Sequence, residues 1–520
     1  YRGDGYCGVI SKAGGPFRAC HDVVDPGPFL EDCAFDACHH KGHRDTVCKG
    51  VAAYAAECQS RGVGVERWRT AAFCGLSCPL HSHYELCGPS CPATCQGPAA
   101  DPVGCSSIPC SEGCFCDQGF LLSGDECVPA SECGCHHHGR YHKKGEDFQP
   151  SCHQRCRCGA QGLVECREVF CGAHEECRVE DGHLGCHPTG YGRLVVAGDP
   201  HYVTFDGRAF HLPGSCAYVL ARLCEAGPRL ANFSVLLENG GAGRGEAAMM
   251  KKVVVAIHGY VVSMERGRKW EVDGELHTLP LVTKDQKLRV GQEGTNIVLQ
   301  TAAGLRLLYN APTYLLLTIP DVYRGHVCGL GGNYNGDPTD DFRLPSGSPA
   351  PSVADFVTSW KVPPEDGTCS DGCDGGTCPT CDDDTAAYGA RDSCGLIRDP
   401  VGPFGSCHQR VSPMEYFNHC LHDVCVAKGA RHVLCHSLQA YAAACQAAGA
   451  AIGGWRTDTF CPLSCPPHSH YELCTRTCDF TCASLSVPAR CSWTCFEGCQ
   501  CDDGFLFDGE ACVSLEQCGC

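Results

Sequence analysis

Eighteen cysteines between Cys7 and Cys135 return as eighteen more between Cys394 and Cys520. Their spacings agree at every step but two, each of which differs by one residue. His81-Ser82-His83-Tyr84-Glu85-Leu86-Cys87 recurs unchanged as His468 to Cys474, and Trp68-Arg69-Thr70 recurs as Trp455-Arg456-Thr457. The two segments are copies of one unit. With 50 cysteines in 520 residues, the chain is built from modules too small to bury a full core. Disulfides hold such modules, each contributing about 2–5 kcal/mol, and they form in an oxidising compartment.

Charge narrows the partners. Lys plus Arg is 41 against 60 for Asp plus Glu, a formal net charge of -19, which argues against nucleic acid and anionic membrane surfaces. No apolar run approaches the roughly 18 residues that would span a bilayer. The chain opens at Tyr1-Arg2-Gly3, without Met or an apolar leader, and is read as an internal piece of a longer secreted protein.

Each copy has two halves. The first carries helical patterning, clearest in Val51 to Cys58 and its match Leu438 to Cys445. The second, from Cys78 and from Cys465, is loop-rich, so disulfides must serve as its core. This arrangement resembles the eight-cysteine module followed by a trypsin-inhibitor-like module in the von Willebrand factor D assembly, a family of mucus and extracellular proteins. One departure is local: the family's extra cysteine two positions before Cys48 is Thr46 here, and Val433 in the second copy. Pairings within the eight-cysteine modules are therefore left open.

Residues 191–369 differ in character. Cysteines nearly vanish and β-branched runs appear, among them Ala217 to Leu223, Val253 to His258, Asn296 to Thr301 and Tyr314 to Ile319, separated by turn signals such as Asp273-Gly274. Strands without intervening helices predict an antiparallel β-sandwich, with a short helix over Ser352 to Trp360. Gly198-Asp199-Pro200-His201-Tyr202, Thr204-Phe205-Asp206-Gly207, Cys328-Gly329-Leu330 and Gly332-Asn333-Tyr334-Asn335-Gly336 resemble the D domain itself. The expected organisation is multidomain: an eight-cysteine module at 1–77, a trypsin-inhibitor-like module at 78–133 and a small cysteine-rich β-module at 134–190. The D domain at 191–369 follows, then a second eight-cysteine module at 370–464 and a second trypsin-inhibitor-like module at 465–518.

The tetrad Gly198-Asp199-Pro200-His201 lies between two runs that read as strands. An Asp carboxyl can close a five-membered ring on its own carbonyl carbon, expelling the proline nitrogen, which a neighbouring imidazolium can protonate. Asp-Pro also occurs at Asp25-Pro26, Asp101-Pro102, Asp337-Pro338 and Asp399-Pro400, where turn chemistry is the ordinary reading. Only the pair at 199 is followed by His and framed by strands, and the family resemblance implies self-cleavage between Asp199 and Pro200 with His201 assisting.

Asn333, Asn335, Asp340 and Asp341 fall within nine residues of a Gly-rich turn. Hard oxygen ligands in that pattern suit calcium, as they also suit an Asx-rich turn, and the loop is not an EF-hand. The resemblance implies calcium as cofactor, with Asp206 completing the set and Asp337 contributing at most its backbone.

The resemblance further implies the disulfides Cys216–Cys369 and Cys224–Cys328 in the D domain. In the first inhibitor-like module it implies Cys78–Cys114, Cys87–Cys110, Cys91–Cys105, Cys95–Cys133 and Cys116–Cys127. In the second it implies Cys465–Cys499, Cys474–Cys495, Cys478–Cys491, Cys482–Cys518 and Cys501–Cys512. A further disulfide of the family is absent, because its two cysteines are Leu194 and Gly331 here.

Other chemistries compete. The loops that enter a protease in inhibitors of this fold are Ser106-Ser107-Ile108-Pro109 and Ser492-Trp493-Thr494 here, without a central Arg or Lys. Cys378-Pro379-Thr380-Cys381 has the spacing of a redox dithiol, His136 to His138 invite zinc, and Arg2-Gly3-Asp4 matches an integrin tripeptide. A plain disulfide, a solvated loop and chance are the readings adopted for these three. Asn232-Phe233-Ser234 is an N-glycosylation sequon.

The expectation is a secreted, calcium-loaded repeat of a mucus-type scaffold glycoprotein with one self-cleaving bond, not a turnover enzyme. Its expected partners are other extracellular glycoproteins and repeats of the same parent chain. The alternative is a ligand-binding module, with IgG Fc the candidate partner, or a serine protease inhibitor.

Overall fold

The computed structural model describes residues 1–40, 42–97, 109–180, 182–198, 201–240, 249–265, 270–363, 369–370, 380–381, 385–476, 478–485, 491 and 495–518. The chain forms two compact units, Tyr1–Gly172 with Glu176–His187 and Glu516–Cys520, and Ala173–Glu175 with Pro188–Leu515. Among the described residues, no helix is long and apolar enough to cross a membrane. The architecture is multidomain and mostly antiparallel, with many disulfides and few helices.

In the first unit, helices α1 (Pro26–His39) and α2 (Arg44–Ser60) form the eight-cysteine module. Asp25 caps α1, its carboxylate accepting from the Gly27 amide at 2.9 Å, with Pro26 in the first turn where no amide hydrogen is needed. Cys7–Cys33, Cys20–Cys58 and Cys48–Cys74 tie the helices to their flanking loops around buried Phe17, Val51, Tyr54 and Trp68. The following module has so little apolar material that Cys78–Cys114, Cys87–Cys110, Cys95–Cys133 and Cys116–Cys127 hold its two short antiparallel strand pairs together. The implied pair Cys91–Cys105 lies outside the described residues through Cys105. Residues 134–187 are short antiparallel strands stapled by Cys135–Cys158, Cys152–Cys177, Cys156–Cys166 and Cys171–Cys186.

The second unit is dominated by two open, eight-stranded antiparallel sheets. One runs, in spatial order, Ala209–His211, His201–Val203, Tyr191–Ala197, Tyr314–Pro320, Arg306–Asn310, Asn296–Thr301, Leu288–Glu293 and Leu281–Val282. The other is a meander from Ala217–Leu223 through Phe233–Gly240, Met249–Ile257 and Tyr260–Glu265, with Val327–Cys328 and Lys361–Val362 paired to its first strand. Period-two burial in Phe233–Gly240 sends Phe233, Val235 and Leu237 inward. They join Leu194, Val196, Tyr218, Leu220, Val255, Leu307 and Leu317 in one apolar cluster that draws on both sheets. Burying each such side chain contributes about 1.5–3 kcal/mol. Helix α3 (Val353–Ser359) adds Phe356 and Val357 to this cluster. It starts where the Ser352 hydroxyl accepts from the Asp355 amide at 3.1 Å. Cys216–Cys369 and Cys224–Cys328 close the domain.

Helices α4 (Pro413–Val426) and α5 (Arg431–Ala447) repeat the first module, with Cys394–Cys420, Cys407–Cys445 and Cys435–Cys461 at equivalent positions. Ala440, Ala443 and Ala444 of α5 pack on Ala197, Val298, Leu308 and Tyr314, the other face of the first sheet. Small side chains let the helix lie close to the strands. Gln439 Nε2 also donates to Asn310 Oδ1 at 2.6 Å. The last module carries Cys465–Cys499, Cys474–Cys495, Cys478–Cys491 and Cys501–Cys512.

Candidate functional site

The two flanks of the tetrad form an antiparallel hairpin, Val195, Val196 and Ala197 opposite Val203, Tyr202 and His201. Asp199 and Pro200 lie outside the described residues, but the residues on either side define their frame. Gly198 has φ +63° and donates its amide to the Thr313 carbonyl at 3.0 Å. His201 is buried, 8% exposed, and sits opposite His211 on the neighbouring strand.

The ring of His201 meets helix α4. Its Nε2 donates to Asp423 Oδ1 at 3.0 Å, and its plane stacks on His419 with centroids 3.8 Å apart and 4° between planes. His422 stands edge-on at 6.1 Å and His211 lies at 4.9 Å. His419, His422 and Asp423 share one helix face because they are spaced i, i+3, i+4. The other Asp423 oxygen fills the space beside Gly198, since a Cβ there would lie 2.7 Å from Oδ2. One carboxylate therefore touches both described residues that flank the Asp-Pro bond.

Burial, aided by His422, holds the His201 imidazole down to about 4, and burial with the surrounding imidazoles holds His419 to about 3. Free histidine titrates at about pH 6.5. His201 is neutral at pH 7 unless the Asp423 charge is drawn on.

Three of the other Asp-Pro pairs have the aspartate side chain engaged locally. The carboxylates of Asp25, Asp337 and Asp399 accept from the amides of Gly27, Thr339 and Val401, at 2.9, 2.9 and 3.2 Å. Those oxygens are engaged by the chain ahead of them. Asp101 and Pro102 lie outside the described residues.

The Asx-rich loop gathers residues from two segments. Asp206 accepts from the amides of Asn335 and Gly336 at 3.0 and 2.8 Å. Asp341 is 1% exposed, and its Oδ2 accepts from the Thr204 hydroxyl at 2.5 Å while Oδ1 has no partner. Gly332 makes room for that oxygen, because a Cβ there would fall 2.1 Å from Oδ1. Burial and the Asp206 carboxylate push Asp341 up to about 7. Asp340 accepts from Asn333 Nδ2, Asn335 Nδ2 and Arg343 Nη2 at 3.2, 2.9 and 2.8 Å, so it is partly neutralised by arginine. The Asp337 side chain caps the turn Pro338–Asp340, its Oδ1 accepting from the Thr339 amide and hydroxyl. An orphaned, buried carboxylate oxygen beside a second carboxylate, in an all-oxygen donor set, fits a hard cation such as calcium.

The remaining sequence signals fall elsewhere. Cys381 pairs with Cys425, so it is not half of a Cys378–Cys381 dithiol; Cys378 lies outside the described residues. His137 lies beside Cys156 and Cys166, but these two form a disulfide and offer no thiolates. Ser106 to Ile108 and Ser492 to Thr494 lie outside the described residues. Asn232 is exposed at the start of strand Phe233–Gly240. Arg2 pairs with Glu31, and Asp4 with Lys12 at 3.0 Å.

Sequence reasoning did not find Asp423, His419 or His422. The only signal available was the segment His419-Cys420-Leu421-His422-Asp423 read as a helix face, and nothing in it pointed to a residue 222 positions away.

 Cys420 in this segment is bonded to Cys394, which ties this turn of the helix to the loop before it.

Comparison with known families assigns the modules. Residues 195–348 match the von Willebrand factor type D domain, 6–75 and 393–462 the C8 domain, 78–133 and 465–518 the trypsin-inhibitor-like cysteine-rich domain, and 134–187 the TILa domain. The chain belongs to the von Willebrand factor D assembly family. It is 49% identical to IgGFc-binding protein of Homo sapiens over 100% of its own length and 10% of that protein's. It is 39% identical to zonadhesin of Sus scrofa, over 100% of the chain and 21% of the relative. For alpha-tectorin of Mus musculus the figures are 36%, 100% and 24%. The chain thus spans between a tenth and a quarter of these relatives.

Proposed function

We propose that this chain is a structural repeat unit of a secreted extracellular scaffold glycoprotein, of the mucus type, that binds calcium and cuts itself once between Asp199 and Pro200. The observation that carries the reading is the buried Asp341 carboxylate, with one oxygen unpartnered and Asp206 beside it. Such a group demands a proton or a cation. Asp206, Asp340 and Asp341 with the side-chain oxygens of Asn333 and Asn335 would hold calcium, which supplies positive charge and no redox chemistry. The two sheets are read as the layers of a sandwich around their common cluster, and Asn232 as a glycan site. Partners are other extracellular glycoproteins and further repeats of the parent chain. The name of one relative offers IgG Fc as an additional ligand.

In the self-cleavage, the Asp199 carboxylate forms a bond to its own carbonyl carbon and the bond to the Pro200 nitrogen breaks. That nitrogen leaves with a proton, and water then opens the cyclic anhydride. Each chain reacts once, so this is not turnover catalysis. Calcium titration of the purified chain, followed by heat capacity and by reduced mass, tests both parts. A melting temperature that rises with calcium and a mass pair split at 199/200 are expected. A chain indifferent to chelator and intact at that bond would overturn the reading.

A further inference from the structure

Asp423 belongs to the second eight-cysteine module, yet its carboxylate lies against Gly198 and His201, the described residues before and after Asp199 and Pro200. Oδ1 accepts from His201 Nε2 at 3.0 Å, and Oδ2 occupies the space that a side chain on Gly198 would need. Both partners are buried, with side chains 9% and 3% exposed. We infer that Asp423 is a positioning residue for the self-cleavage: it holds the His201 ring by Nε2, so that Nδ1 is the atom available to the scissile bond. The inference rests on the cleavage reading above and adds that the D domain cannot cut efficiently without the neighbouring module.

The chemistry follows from which nitrogen is engaged. A proton given to the departing Pro200 nitrogen must leave from Nδ1, and the ring then remains neutral with Nε2–H still on Asp423. Before that step the ring must carry both protons. Burial and the imidazoles of His211, His419 and His422 oppose the cation, while the Asp423 charge favours it. These are the titratable groups that face His201 among the described residues, from strand Ala209–His211 and from α4. The carboxylate thus fixes both the tautomer and the orientation of the ring, a role distinct from touching the reacting atoms.

A small cavity of about 20 Å³, lined by Gly198, Thr313, Asp423, His436 and Ser437 among others, adjoins the same carboxylate.

The test uses the full chain secreted from cells, pulse-labelled, with cutting followed on reduced samples. Asp423→Asn preserves shape and a hydrogen-bond acceptor but removes the charge. It is expected to slow cutting by about 10- to 100-fold, within the range that proton transfer contributes. Uncut Asp423→Asn chain, purified and held between pH 4 and 8, should cut faster as pH falls, with its acid limb about one pH unit below that of Asp423→Glu. Asp423→Glu, which keeps the charge, should recover most of the rate. In the uncut Asp199→Ala background, labelled histidine should show His201 as the Nε2–H tautomer. Gly198→Ala, which pushes on Oδ2, should slow cutting while leaving secretion intact. Equal rates and equal pH profiles for wild type and Asp423→Asn would overturn the inference while leaving the cleavage reading in place. A wild-type chain that never cuts would overturn both.

Discussion

Leu194 and Gly331 pack directly on one another: a Cβ built on Gly331 would lie 2.4 Å from Leu194 Cδ1 and 2.9 Å from Phe205 Cε2. These are the two positions where the family resemblance places a cysteine pair. The leucine occupies the volume of the missing disulfide, and the glycine leaves it room, so an apolar contact stands where a covalent one is lost. Gly331→Ala should overpack this site and cost about 1–3 kcal/mol, read as a lower denaturation midpoint. Leu194→Cys with Gly331→Cys should relieve the crowding and close a disulfide. Peptide mapping without reductant that found both thiols free would disprove this.

Chelation should act through the Asx-rich loop. Anything that binds only the folded state stabilises it by mass action. Removing calcium should therefore lower the melting temperature of the D domain. Asp341→Asn, which removes the charge that burial disfavours, should melt higher than wild type in chelator and gain less on adding calcium. Equal calcium gains in both proteins would show that Asp341 is not a ligand.

Acid should loosen the packing of α4 on His201. His201 and His419 are held to about 4 and about 3 in the folded chain, below the ordinary value near 6.5. The unfolded state therefore takes up protons first as pH falls. The stability these rings confer is complete above about pH 6.5 and is lost as pH falls towards 4 and below. His419→Gln should flatten the fall in melting temperature between pH 6.5 and 4. An unchanged slope would mean that these rings do not govern acid sensitivity.

Arg456 and Glu497 form an ion pair at 3.0 Å with side chains 5% and 4% exposed, and Arg69 with Glu112 repeats it at 3.1 Å. In each copy the pair joins the eight-cysteine module to the inhibitor-like one. A tyrosine hydroxyl, Tyr471 or Tyr84, donates to the same carboxylate. Removing one partner of a buried pair leaves an uncompensated charge and costs about 3–5 kcal/mol. Arg456→Met should show that loss in denaturant melts, and Arg456→Met with Glu497→Leu should recover part of it. A double variant as weak as the single one would mean that the pair is not the source of the loss.

Much of the molecule could be read along the chain because its determinants are local or repeated. Cysteine spacing marked the modules, and the period-two runs from Ala217 and Phe233 marked strands whose alternate residues face the core. Ser352 and the residues after it marked the helix now seen at Val353–Ser359. The oxygen-rich loop was visible as a cluster of Asn and Asp, but the joining of Asp206 to it came from resemblance alone.

The sequence by itself determined the repeat, the module order and the residue types of the tetrad and the loop. Tertiary structure alone decided which of these groups feel one another. Asp423 reaches His201 across 222 positions, and Asp341 is raised by burial and by Asp206 on another segment. The side chain of Asp25, by contrast, is engaged by an amide two residues away. Hydrogen bonds within a turn follow from neighbouring residues. Desolvation and charge coupling depend on distance and solvent exclusion, and those exist only once the sheets and α4 have packed.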